Sequence, residues 1–306
     1  MRRSILYDLK IQIVTGGFSA EREANLHCAR NVEKALIANG VHPDFLILDD
    51  KIDKIWPQIQ KIDADFVFAL VTEEVPVQVI LDMLNIPYNG SSNLQTALSL
   101  HKQFIKQILS LNDIHVPRGV VVHKNDLENL KEITYPAVVK PLGCGDSKGV
   151  SLIRQKSKLK NALHDAFKYD SQVIVEEFIE GQEITIPVLG NFVMPGVKVT
   201  SSSGIWDELR KDNLDVSFEV VHRNTPLDKQ ICKEMLKIKQ IFGFENIWRA
   251  DTILKANKLY ILEINTQPVL ASGKKGLLAT SCNELGWDHF DLLTRIAEES
   301  LSCKKH

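Results

Sequence analysis

The stretch YPAVVKPLGCGDSKGVSLI, residues 135–153, opens as an apolar run (Ala137, Val138, Val139) and reaches a single lysine, Lys140. It then turns at Pro141 and crosses a small polar loop before Val150, Leu152 and Ile153 resume the apolar pattern. Two apolar runs joined by a breaker-rich segment predict two strands and a flexible connection. Glycines at 143, 145 and 149 let backbone N–H groups approach an anion closely, and a lysine at the end of a rigid strand supplies a positioned charge. The combination suits a polyphosphate. On these residues alone, an ordinary surface hairpin with a solvated lysine fits as well. Cys144 inside the loop is open to two readings, a reactive thiol or a small loop filler.

Outward from this stretch, the 306-residue chain is long enough for two or three domains. Its 44% hydrophobic and 25% charged residues are those of an ordinary globular protein. A formal net charge of −2, with lysines scattered rather than clustered, argues against nucleic acid or an anionic membrane as the main partner and leaves small molecules as the default. The N-terminal MRRSILYDLKIQIV has no apolar core followed by a small-residue cleavage site, and nowhere do about 18 apolar residues run together, so a cytoplasmic protein is expected. Five cysteines, odd in number and without C-x-x-C spacing, speak against a disulfide framework or a zinc site.

On the N-terminal side, KIQIVT (10–15) reads as a strand, followed by Gly16-Gly17-Phe18-Ser19 and a helical pattern over 21–39. Strands at 43–48 and 66–70 and a helix at 77–84 continue a β/α alternation that calls for a parallel sheet. IPYNGSSN (86–93) is rich in breakers and marks a boundary, and one helix is expected over 94–111, with Leu94, Leu98, Ile105, Ile108 and Leu109 inward. Short strands at 119–122 and 137–140, a helix at 158–169 and a strand at 172–176 suggest a smaller α+β unit around the Gly loop. Strands at 184–188 and 197–200 lead into SSSGIWDELRKDNLD (201–215), long, charged and weakly periodic, as a mobile active-site loop would be. A helix at 227–241, strands at 247–253 and 259–265, and a closing helix at 287–301 complete the pattern.

The turn Ala256-Asn257 separates flanks that read Arg249-Ala250-Asp251 and Glu263-Ile264-Asn265. In an antiparallel pair Asp251, Glu263 and Asn265 come within reach of one another as hard oxygen ligands, a set that suits Mg²⁺ held between protein carboxylates and nucleotide phosphates. The apolar residues around Glu263 favour that reading over a plain surface hairpin, because a carboxylate in such a setting is costly unless paired or metal-bound. VIVEEFIEGQEI (173–184) offers an apolar patch for an adenine ring and carboxylates for a ribose diol, or equally a solvated acidic strand end.

These pieces, GGFSAERE (16–23), the helix carrying Lys102 before IHVP, VVKPLGCGDSKGVS (138–151), EEFIEGQEIT (176–185), RAD (249–251) and EINTQP (263–268), stand in the order and spacing of the D-alanine–D-alanine ligases of the ATP-grasp superfamily. The resemblance covers nearly the whole chain. It implies an α/β (α+β) fold of three domains: a Rossmann-like N-terminal substrate domain (1–92), a central ATP-grasp subdomain with the Gly loop (93–182) and a C-terminal subdomain with the metal site and mobile loop (183–306). It further implies ATP and Mg²⁺, two ions, with Mn²⁺ as a substitute, two amino-acid substrates and a homodimer.

Carried over onto these residues, Lys102, Lys140 and Lys211 resemble the lysines that contact the ATP phosphates, and the loop bearing Gly145 and Gly149 the one that covers them. Glu176, Glu177 and Ile179 match the adenine hinge, Glu183 the ribose ligand, and Asp251, Glu263 and Asn265 the metal ligands. Arg249 matches the arginine that stabilises the charged intermediate, and Glu21 the glutamate that holds the first substrate's ammonium. The chain also departs from the family. Its Ser-Ser pair is Asp146-Ser147 here, and its loop tyrosine has only Trp206 and Asp212 nearby. The H-G-x-x-G-E-D-G loop is reduced to VTEEVPVQ (71–78), with Glu73 as the acidic remnant. Where the family grips the second substrate's carboxylate, this chain reads PVLASGKK (268–275). Backbone N–H groups near Val269 would face the oxyanion, while Lys274 and Lys275 are either contacts for an acidic acceptor or solvated loop lysines. Two functions follow: a carboxylate–amine ligase with a changed acceptor site, serving cell-wall synthesis or another pathway, or a non-catalytic ATP-binding regulator on the same fold.

Overall fold

A computed structural model describes residues 3–19, 21–72, 75, 77–124, 130, 133–143, 149–201, 216–270 and 276–303. The N-terminal strands β1 (Ile11–Gly16), β2 (Asp44–Leu48) and β3 (Phe66–Leu70) form a parallel sheet in the order β2-β1-β3. Helices α1 (Arg22–Ala38) and α2 (Ile52–Ile59) supply the crossovers that parallel pairing demands. Both faces are covered, as the unbroken apolar β3 sequence requires. Ile13, Phe66 and Phe68 meet Val32 and Leu36 of α1 on one side, and Val14, Leu48 and Val67 meet Ile55, Ile59 and Leu81 on the other. Leu293, Ile296 and Ala297 of the last helix, α9 (His289–Cys303), join the first of these cores, so the C-terminus returns to the N-terminal sheet.

Two antiparallel sheets follow. The first runs β4 (Gly119–His123), β7 (Gln172–Glu177), β5 (Ala137–Pro141), β6 (Ser151–Ile153), with α6 (Leu159–Ala166) packed on Ala137, Val139, Val173 and Val175. The second runs β11 (Val216–Val220), β10 (Val197–Ser201), β8 (Gln182–Leu189), β12 (Ile247–Lys255), β13 (Lys258–Asn265), with β9 (Phe192–Val193) beside β8. On β8 and β12, Ile184, Ile186, Val188, Trp248 and Ala250 alternate inward against Ile231, Met235 and Ile238 of α7 (Pro226–Phe242). The residues between them, Glu183, Thr185, Arg249 and Asp251, therefore share the other face.

The single helix expected over 94–111 is two helices, α4 (Asn93–Leu100) and α5 (Lys102–Leu111), broken at His101, whose ψ of 80° leaves the helical region. The His101 imidazole accepts the Phe104 N–H and starts the second helix. Because α4 is separately oriented, Leu94 is 69% exposed rather than inward, whereas Ile105 and Leu109 of α5 join the core of the six-stranded sheet. Helices α2 and α8 (Leu277–Glu284) and strand β11 are not among the elements expected from the sequence. The segment 86–93 is tied to β3: Tyr88 bridges Val67, and the Asn89 amide accepts the Ala69 N–H and donates to the Ala69 carbonyl. Among the described residues, no helix is long and apolar enough to cross a membrane.

Trp248 is fully buried and lies 5.2 Å, centroid to centroid, from Phe244. Trp248→Ala is expected to destabilise the protein by about 3–5 kcal/mol through the cavity it opens. Its indole N–H has no partner among the described residues. Trp248→Phe, which keeps most of the ring and removes that orphan donor, should therefore cost far less. Urea unfolding of the two variants checks the order.

Candidate active site

A cleft of about 500 Å³ lies where the three sheets meet. On its N-terminal side, β1 ends at Gly16 and is followed by Gly17, and their φ values of 91° and 87° are open to glycine and strained for other residues. The Arg22 guanidinium donates to the carbonyls of Gly17 (2.6 Å) and Leu48 (2.8 Å), which fixes the loop against the end of β2. Glu21, at the start of α1, and Asn25, one turn on, line the cleft together with Thr72 after β3. The Asn25 amide nitrogen and the Thr72 hydroxyl have no hydrogen-bond partner among the described residues.

The opposite wall is the hairpin β12–β13. Ala256 and Asn257 both adopt positive φ (48° and 60°), the two-residue turn that matches strand twist. Carried straight through from Lys255 opposite Lys258, this turn would set Asp251 against Leu262. A bulge between Asp251 and Thr252 shifts the register by one, so that Asp251 stands opposite Glu263 and Arg249 opposite Asn265. The three expected ligands thus face the cleft with Arg249, as the sequence reading required. Asp251 accepts from the Thr185 hydroxyl at 2.8 Å and from the Arg249 guanidinium at 3.0 Å. Asn265 Oδ1 accepts the Gln267 N–H at 2.9 Å. Glu263 lies 3.9 Å from the Lys102 ammonium. Desolvation pushes the Glu263 carboxyl up, but Lys102, Lys140 and Arg249 together outweigh it and hold the group below the ordinary carboxylate range. Across β12, Glu183 is half-buried: desolvation, then the like charges of Asp251 and Glu263, raise its carboxyl to about 7 against a partial offset from Arg249.

Among the described residues no three His, Cys, Asp or Glu side chains form a metal-binding group. The oxygen set is two carboxylates and one amide, which fits Mg²⁺: that ion is commonly held by one or two carboxylates and completed by substrate phosphates and water.

The floor is formed by β5 and β7. The Lys140 ammonium sits 2.5 Å from Glu176 Oε1, and the other oxygen of Glu176 accepts from the Lys106 ammonium on α5. All three side chains are close to fully buried. Gly119 faces Glu176 across β4–β7, and a Cβ at Gly119 would come within 2.8 Å of the Glu176 Cβ, so only glycine leaves room for it. Burial raises the Glu176 carboxyl, and the two lysines more than reverse this, leaving it low. Glu177 accepts the Arg118 N–H at 2.9 Å, and Phe178 and Ile179 add an apolar surface to the cleft.

Of the residues expected from sequence, Glu21, Lys102, Lys140, Glu176, Glu177, Ile179, Glu183, Arg249, Asp251, Glu263, Asn265 and Val269 line this one cleft. Gly149, with φ 69°, stands just outside it against Pro141. Glu73, Gly145, Asp146, Ser147, Trp206, Lys211, Asp212, Lys274 and Lys275 lie outside the described residues. The sequence reading missed Lys106, Thr185, Asn25 and Thr72. Only Lys106 carried a signal, as a lysine on the same helix face as Ile105 and Leu109, where an unpaired ammonium is costly.

Residues 113–298 match the family model described as D-ala D-ala ligase C-terminus. The chain is 31% identical to a D-alanine–D-alanine ligase of Desulforamulus reducens, over 96% of this chain and 99% of that protein. It is similar, at 26% identity and a TM-score of 0.82, to a D-alanine–D-alanine ligase of Bacillus anthracis solved in complex with ATP, covering 97% of this chain and 98% of that one. It shares its fold with the VanG D-Ala:D-Ser ligase of Enterococcus faecalis, at a TM-score of 0.76 and 23% identity over 96% of this chain and 99% of that one. A parallel N-terminal sheet, two antiparallel sheets closing on one cleft and this near-full-length likeness lead to one conclusion: the chain belongs to the D-alanine–D-alanine ligase family and is an ATP-grasp ligase.

Proposed function

We propose that this enzyme joins two amino acids by an ATP-driven amide bond, with ATP between the two antiparallel sheets and the first amino acid against Glu21. The observation that carries this reading is Asp251 directly opposite Glu263, in the same cleft as Lys102, Lys140 and Glu183. The first substrate's carboxylate attacks the γ-phosphorus of ATP, ADP leaves, and the resulting acyl phosphate is attacked by the second substrate's amine, releasing phosphate and a proton. Positioning and charge neutralisation account for most of the rate in such transfers, and no covalent enzyme nucleophile is needed.

In this reading Lys102 and Lys140 neutralise the phosphates. Phe178 and Ile179 hold the adenine, and Glu183 accepts from the ribose diol. Arg249 and backbone N–H groups near Val269 stabilise the tetrahedral oxyanion. Asp251, Glu263 and Asn265 would hold Mg²⁺, which when bound supplies Lewis-acid charge on the phosphates. Of the residues outside the described ones, Lys211 would contact the ATP phosphates, the Gly loop would cover them, and Asp146 and Ser147 would act beside Glu21 at the first substrate. Lys274 and Lys275, in place of the family's grip on the second carboxylate, favour an acceptor with extra negative charge. The three-domain division at 92 and 182 and a homodimer belong to the same proposal.

The test is phosphate release with ATP and Mg²⁺ on D-alanine, set against a panel of D- and L-amino acids including acidic ones. The reading expects turnover with a D-amino acid donor and faster turnover when an acidic acceptor is added. Robust turnover with D-alanine alone and no gain from any other acceptor would remove the changed-acceptor part. Failure to form ADP with any pair would remove the whole.

A further inference from the structure

The buried cluster beneath the cleft contains two ammonium groups and one carboxylate. Lys106 projects from α5 one turn after Lys102, is 4% exposed, and holds the Glu176 oxygen that Lys140 does not use. Two cations on one anion leave a net positive charge at the cleft floor. Without Lys106, Glu176 and Lys140 would cancel, and Lys140 would offer a phosphate little net charge. We propose that Lys106 is a positioning residue for nucleotide binding: by occupying one oxygen of Glu176 it orients the Lys140 ammonium and keeps the floor of the phosphate site positive. The inference rests on the ATP-cleft reading above.

The charges facing Lys106 come from three other strands and its own helix. Glu176 on β7 and Lys140 on β5 touch the same cluster, Glu263 on β13 feels Lys106 at longer range, and Lys102 shares its helix. Burial and the neighbouring Lys140 push the Lys106 ammonium down to about 8, and Glu176 only partly restores it, so the cluster sheds its first proton in the mildly alkaline range. Lys140 keeps its proton to higher pH because Glu176 and Glu263 outweigh its desolvation. The positive floor is therefore present below about pH 8 and fades above it.

The experiment measures KM and kcat for ATP between pH 6.5 and 9.5, and Kd for ADP by calorimetry, in wild type, Lys106→Met, Lys106→Arg and Lys140→Met. At pH 7, Lys106→Met is expected to raise KM for ATP and Kd for ADP about tenfold, the effect of one unit charge acting through a partly shielded site, while kcat changes less. In wild type the ratio of its KM to that of Lys106→Arg should climb above pH 8, because the guanidinium stays charged. Lys106→Met should show no such rise. Lys106→Arg with wild-type affinity at pH 7 and an extended alkaline limb would separate a charge effect from a packing one, since loss of packing alone leaves the pH profile unchanged. If Lys140→Met weakens nucleotide binding and Lys106→Met does not, or if all three variants share the wild-type pH profile, the positioning role is overturned. If Lys140→Met binds nucleotide as wild type does, the ATP-cleft reading itself is wrong.

Discussion

Glu263→Gln is expected to lower ADP formation by at least about 100-fold while the protein stays folded. The carboxylate sits opposite Asp251 and is kept ionised by Lys102, Lys140 and Arg249 despite the desolvation of the cleft. Glutamine keeps the shape and removes the charge. It deprives a divalent cation of a hard anionic ligand and leaves Lys102 and Arg249 facing one fewer carboxylate. Metal-ion charge stabilisation is worth several kcal/mol in such transfers, and each 1.36 kcal/mol is tenfold in rate, which sets the scale. Glu263 lines the cleft and its side chain is partly exposed, so the core beneath, Ile261 and Ile264, is undisturbed. A coupled ADP assay beside a urea unfolding curve gives both readouts. A folded variant that keeps a tenth or more of the wild-type rate would refute the assignment of Glu263.

Glu176→Gln should instead be a stability variant, costing about 3–5 kcal/mol near pH 7, because it leaves two buried lysines without their carboxylate. The sign of its pH dependence follows from the directions of the shifts. Glu176 is depressed in the folded state, so its contribution is present above the ordinary carboxylate range and is lost as pH falls through that range. Lys106 is also depressed, to about 8, so in the folded wild type its proton is retained below that pH only because Glu176 is there. Above about pH 8 both proteins hold Lys106 neutral. The deficit of the variant is therefore widest between the carboxylate range and pH 8, and narrows on either side. Urea midpoints at pH 4, 7 and 9 test this. A deficit under about 1 kcal/mol at pH 7, or one that grows at pH 9, would mean that the three groups do not form the pair-plus-one described here.

The sequence by itself determined the parallel N-terminal sheet, since apolar runs alternate with amphipathic segments at βαβ spacing. It also determined the lysine-and-glycine motif and the acidic hairpin, because each depends on local residue order. Helix boundaries at His101 depended on one side chain accepting one backbone N–H, a detail too small for periodicity to register. The register of the acidic hairpin was only half local. The turn Ala256-Asn257 on its own sets Asp251 against Leu262, and a one-residue slip sends a side chain to the other face of a sheet. The bulge at Asp251 puts Glu263 on the cleft side, and it is held because Ile264 and Ala250 are drawn into the core on the other face while β8 pairs along the far edge of β12. Lys106 was likewise beyond local reading. Its partner Glu176 is 70 residues away, and only the seating of α5 on the core of the six-stranded sheet, beside β5 and β7, brings the ammonium, the carboxylate and Lys140 together.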